Sequence, residues 1–202
     1  MPRRSPAWSR SLVGSGFAVA AVAAVLAACG PTVPATSCPM FPANNHWHAS
    51  VTRAPVLANS ANLITTVGAT RGLKADFGAG LWEGGPIGIP YVVVAPGQPK
   101  VDVTFEYADE SDPGGYPVPA NPPIEGGPDG AGDRHILMVE PAECRLYELY
   151  SAYPDGDGTW SAGSGAIWDL RSNAQRPLGW TSADAAGLAI LPGLVRYDEV
   201  AA

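Results

Sequence analysis

CRLYELYSAYPDGDGTWSAGSGAIWDL, residues 144–170, is the stretch that decides the fold. Two aromatic-rich runs, 144–152 and 159–170, flank the cluster YPDGDG at 153–158. Pro, Asp and Gly between two such runs is hairpin chemistry, because those residues set or tolerate the dihedrals a tight reversal needs. Working outward, residues 100–107 alternate Val101, Val103, Phe105 and Tyr107 with Asp102, Thr104 and Glu106. That period of two predicts a strand with one buried face. Residues 91–95 and 135–140 are short apolar runs rich in branched side chains, which predicts strands covered on both sides in a sheet interior. The only helix signal is at 181–188, where Thr181 can cap and Asp184 stands three positions on, with Gly187 and Pro192 limiting it to about two turns. Gly and Pro, 24 and 21 of 202 residues, fall between these segments and read as turns. The expected fold is mainly β, an antiparallel sandwich or barrel-like domain with long Gly/Pro loops and one short helix.

The amino-terminal end carries an address. Arg3, Arg4 and Arg10 precede an almost wholly Ala, Val, Leu and Gly run at 12–28, which closes on Leu26, Ala27, Ala28 and Cys29. A basic start, an apolar stretch and small residues before a cleavage point make a secretion signal, and a run of that length is marginal for a bilayer of roughly 30 Å. Leu-Ala-Ala-Cys is a lipobox, and here the chain resembles a bacterial lipoprotein precursor. That resemblance implies diacylglyceryl on the Cys29 thiol, cleavage before it, and acylation of the new amino terminus. Several acyl chains hold a protein stably on a membrane, at about 0.8 kcal/mol per buried methylene. The expected organisation is a signal peptide at 1–28, a stiff Pro-containing tether at 29–37, and one β domain over 38–202.

Three of the 12 basic residues leave with the signal, against 19 acidic ones that stay. Nucleic acid is an unsuitable partner for such a balance, since phosphate binding needs clustered Lys and Arg. With Cys29 committed to lipid, Cys38 and Cys144 remain as a pair in an exported protein, where an oxidising compartment favours a disulfide over two buried thiols.

DRHILMVE at 133–140, the hairpin run, SGAIWDLRSN at 164–173 and GWTSADAAGL..LPGLVRYDEV at 179–200 resemble a family of uncharacterised secreted bacterial proteins. The resemblance spans roughly residues 41–200 and carries no established activity. It implies chains that continue beyond this motif, and 194–200 reads as the opening of further structure, so the domain is expected to be incomplete at its carboxyl end.

Chemistry is sparse. Residues 109–133 hold six acids (Asp109, Glu110, Asp112, Glu125, Asp129, Asp133) and no base. Such a loop can bind Ca²⁺, supply carboxylates for glycan chemistry, or be merely solvated. The resemblance covers its DESDPGGYPVP and PPIEGG portions. His135 follows the loop. Glu148 shares a strand face with Leu146 and Tyr150, and a carboxyl on an apolar face is costly unless paired and can serve as a general acid. Asp169 offers a second carboxylate. The candidate catalytic set is therefore Glu125, His135, Glu148 and Asp169, with Glu125, His135 and Glu148 expected to converge; the competing reading of Glu148 is a buried Glu–Arg salt bridge. His46 and His48 with His135 would permit a three-His zinc site if HWH were a strand. Asp155 and Asp157 give half of a Ca²⁺ loop. Ser164 lies in AGSGA rather than G-x-S-x-G, and GGPIGIP is no dinucleotide fingerprint, so no cofactor is expected beyond Ca²⁺ at the acidic loop. The many tryptophans are core by default and sugar platforms if exposed. The expected function is an exported, membrane-anchored module that binds envelope glycan or protein without catalysis; the alternative is a glycan-processing enzyme using paired carboxylates.

Overall fold

The structure, a computed structural model, describes residues 33–34, 36–72, 80–82 and 84–200. The signal run and Cys29 lie outside the described residues. In chain order the elements are α1 (Ser60–Val67), β1 (Leu81–Trp82), β2 (Gly85–Pro86), β3 (Tyr91–Val93), β4 (Val103–Phe105), β5 (Ile136–Glu140), β6 (Arg145–Tyr150), β7 (Tyr153–Pro154), β8 (Trp160–Ala162), β9 (Ser164–Asp169) and α2 (Tyr197–Val200). Single 3₁₀ turns occupy His46–His48, Ala108–Glu110 and Leu191–Gly193.

The fold is mainly β. One sheet has the order β3-β5-β6-β9 and a second has β4-β8-β7. Neither closes into a barrel, and neither is purely antiparallel: β3 runs parallel to β5, and β4 parallel to β8. The hairpin at 144–170 forms and turns a corner. Its base, β6 with β9, belongs to the first sheet, and its tip, β7 with β8, belongs to the second. The corner falls where Ser151 adopts a left-handed φ of 53° opposite Gly163. Only glycine fits there, since a Cβ on Gly163 would stand 2.7 Å from the Tyr150 ring. At the tip, Asp157 accepts from the Thr159 N–H and hydroxyl, and Asp155 from the Ser161 and Thr159 hydroxyls, so both carboxylates close the turn.

Alternation along β5, β6 and β9 divides their side chains between two cores. Ile136, Met138, Tyr147 and Leu149 meet Trp160 and Ala162 of the second sheet. Phe105, Tyr116 and Tyr147 stack edge to face between the sheets, 5.6 Å apart at each step. The opposite face carries Leu137, Val139, Leu146, Ala166 and Trp168, and irregular chain covers it: Val33, Met40 and Phe41 from one end, Ala189 and Leu191 from the other. Cys38 and Cys144 are disulfide-bonded, tying the first of these segments to the start of β6. Val33 is fully buried, so packing begins inside the segment read as tether.

Several local expectations change. Of residues 91–95 only Tyr91–Val93 form a strand, the half-buried edge strand β3, while β5 does lie in the interior. Residues 100–107 shorten to β4 with one bridge from Val101 to Tyr116. The helix at 181–188 is absent. The Thr181 N–H and hydroxyl both donate to Glu110, the Ser182 hydroxyl lies against the Asp184 and Leu188 carbonyls, and Gly187 turns at a φ of 71°. The longer of the two helices that do form, α1, has no side-chain cap and ends at Gly68 with a φ of 96°.

Candidate functional site

A cleft of about 840 Å³ opens over the irregularly covered face of the first sheet, at the end where β5 begins, β6 ends and β9 begins. His135, Tyr150 and Ser164 lie along its floor, with the 181–190 loop forming one wall. Sheet register explains the placement. Leu137 stands opposite Glu148, so His135 falls beside Tyr150, and the two rings sit 5.8 Å apart.

The acidic loop closes one edge of this site, and three of its acids, Glu110, Asp112 and Glu125, enter separate contacts. Glu125 Oε2 lies 2.6 Å from His135 Nδ1, and His135 Nε2 lies 3.0 Å from the Ala183 carbonyl. Both ring nitrogens are thus engaged, one by a side chain of the acidic loop and one by the backbone of the 181–190 loop. Asp112 pairs with Arg176, whose remaining donors reach the Thr181 and Glu110 carbonyls. Hydrogen bonds from Thr181, aided by the Arg176 charge, hold the Glu110 carboxyl below its ordinary range. Arg176 also lies over the Trp168 and Trp180 rings, so this one guanidinium fastens the 170–190 loop to the sheet. Arg134, buried, donates to the Ala152, Pro128 and Gly130 carbonyls and holds the acidic loop's last turn.

Glu148 is on the His135 face but behind the cleft. It has no exposure, and it accepts from the Ile190 and Leu191 backbone N–H groups and from Trp168 Nε1 at 2.9–3.1 Å. Burial pushes its carboxyl up to about 7, against the pull of those donors and of nearby His135. It anchors the loop behind the cleft and is no partner of an arginine. Asp169 is elsewhere: it lies on the opposite face beside Arg145, exposed, and accepts from the Arg171 N–H. The structure thus brings Glu125 to His135 in direct contact, places Glu148 on the same face with its oxygens turned away into the core, and separates Asp169 from all three.

Other candidates resolve differently from expectation. HWH is a 3₁₀ turn, with His48 Nε2 2.6 Å from the Met40 carbonyl, so the three histidines do not assemble a zinc site. The six loop acids do not gather for Ca²⁺ either; among the described residues no three His, Cys, Asp or Glu side chains form a group able to hold a metal ion. Ser164 donates to the Ser182 carbonyl at 2.6 Å, which commits its hydroxyl to the fold.

A second cleft of about 530 Å³ adjoins the first along Trp47, Leu188 and Ala189, which line both. Trp168 and Trp180 line it, together with Asn45, Asn173 and Gln175. Asn45 Nδ2 donates to Asn173 Oδ1, and Asn173 Nδ2 donates to Asn44 Oδ1, fixing these amides relative to one another. Trp47, 43% exposed, stands between the two clefts. The sequence did not single this tryptophan out from the others; the amide pair and the Arg176–Asp112 contact join positions more than 60 residues apart and leave no spacing signal in the chain. No protein-family model, no curated protein and no solved structure matches the chain. Its site is read from geometry alone.

Proposed function

We propose that the chain is an exported lipoprotein, held on the membrane through Cys29, whose β domain is a non-catalytic binding module for cell-envelope glycan. The observation that carries the glycan reading is Trp47, exposed on the boundary of two adjoining clefts and flanked by Trp168, Trp180 and fixed amide side chains. Indole faces stack on the apolar faces of sugar rings, and planar amides donate to and accept from hydroxyls. Two clefts sharing one aromatic wall suit consecutive sugar units better than a single compact ligand.

The positions of Glu125, Glu148 and Asp169 weigh against their use as a catalytic carboxylate pair. Glycoside hydrolysis needs two that reach opposite sides of one glycosidic bond. Glu148 has its oxygens in the core, Asp169 faces elsewhere, and Glu125 is engaged with His135. A glycan array combined with a turnover screen on the full chain tests the reading. Binding without product supports it, product release supports the enzyme, and silence throughout removes glycan as the ligand. Anchoring is tested separately: a radiolabelled lipid precursor is expected to tag the wild-type chain and to miss Cys29→Ser, and equal tagging would reject the anchor.

A further inference from the structure

Val51, Val56, Leu57, Leu63, Ile64 and Val67 are between 49% and 81% exposed, within a span of seventeen residues. On α1, Leu63, Ile64 and Val67 stand three and four positions apart and so form one stripe. Thr65 and Thr66, both exposed, turn their hydroxyls back onto the Ala61 and Asn62 carbonyls. An apolar stripe left outside the core of a folded domain marks a surface that meets something else.

Charge says what. No Asp or Glu occurs anywhere before Asp76, and all 19 acids of the chain lie from there onward. Between Cys29 and Asp76 the only charges are Arg53, Arg71 and Lys74. The chain is therefore divided into a cationic, apolar amino-terminal part and a strongly acidic remainder. An anionic bilayer attracts the first and repels the second. An amphipathic helix flanked by Arg, with its apolar face uncovered, is the form that lies in the plane of a membrane interface with that face roughly 5–10 Å deep.

We infer that residues 51–67, with α1 at their centre, dock on an anionic lipid surface and fix how the domain sits on it. This inference rests on the proposed anchor only for bringing the segment to a bilayer. Within the described residues no helix is long and apolar enough to cross one, and docking at the interface asks for no crossing.

The test uses the full chain carrying Cys29→Ser, which cannot be lipidated, with an environment-sensitive nitrobenzoxadiazole dye on Ile64→Cys or, as a control, on exposed Leu178→Cys. On adding vesicles of phosphatidylglycerol and phosphatidylcholine, emission from position 64 is expected to rise several-fold and shift to the blue while position 178 stays as in buffer. Leu63→Asp with Val67→Asp is expected to abolish the change at 64. The inference is overturned if the two positions respond alike, if the chain fails to sediment with the vesicles, or if the change at 64 appears without vesicles alongside a doubled mass, which would assign the stripe to a second copy of this chain. Lipidation of the wild-type Cys29 is read by precursor labelling, so either result leaves the other legible.

Discussion

Leu137, Val139 and Leu146 are no more apolar than Leu63, Ile64 and Val67, yet the first three have no exposure and the last three are 49–63% exposed. The difference lies in what surrounds them. β5 and β6 are paired on both sides within a four-stranded sheet, and each of their faces has a cover: a second sheet on one, disulfide-tied chain and the Glu148-bound loop on the other. α1 has an apolar stripe that none of the described residues covers. Hydrophobicity alone thus predicts neither burial nor role; the sheet spends its apolar surface on stability, and the helix keeps its own free for a partner.

The largest expected effect is on the sheet side. Replacing Cys38 and Cys144 together by Ala reopens a sequence separation of 106 residues. The cost is expected to be about 4–5 kcal/mol, read as a drop in the denaturation midpoint against the oxidised wild type. An unchanged midpoint would mean that the segment covering Leu137 is held without the bridge.

Leu137→Ala follows, with an expected loss of about 2–5 kcal/mol from the cavity it leaves. Leu63→Ala is the matched probe at the other pole.

Glu148 gives a comparable effect that depends on pH. Its carboxyl is raised from 4.5 to about 7 in the fold. A raised folded value means the stability it contributes is fully present below pH 4.5 and is lost as pH climbs through 7, a fall of about 3 kcal/mol. Glu148→Gln keeps an acceptor for the Ile190 and Leu191 N–H groups and cannot ionise, so its melting temperature is expected to stay flat over that window. A wild type whose stability rises from pH 5 to pH 8 would contradict this assignment.

Leu63→Ala should change stability in solution by no more than about 0.5 kcal/mol, because the side chain is 49% exposed already. A loss comparable to that of Leu137→Ala would erase the contrast and return α1 to the core.

The parts of this architecture legible in the sequence are those with local causes. YPDGDG marked a hairpin because Pro, Asp and Gly act within the turn itself, and period two and branched residues marked β4 and β5. Cys38 and Cys144 were readable as a pair once Cys29 was set aside. The contact of Glu125 with His135 followed from a loop delivering its acid back to the strand it leads into. What stayed hidden depends on distant chain. Thr181 looked like a helix cap, but Glu110, 71 residues away, takes its donors. Glu148 looked available for acid chemistry or for an arginine, but two backbone N–H groups 42 and 43 residues on hold it in the core. Asp169 was placed by a register that sequence does not state. The acidic loop read as one charged unit, although Glu110, Asp112 and Glu125 each answer a different partner.

The most direct test of the central claim compares the full chain with Trp47→Ala on every glycan that binds, measuring affinity and product release together. Binding without product, weakened roughly tenfold or more (about 1.4 kcal/mol) by Trp47→Ala while melting stays within about 0.5 kcal/mol of wild type, is the predicted result. Product release, equal binding by Trp47→Ala, or no bound glycan at all would contradict it.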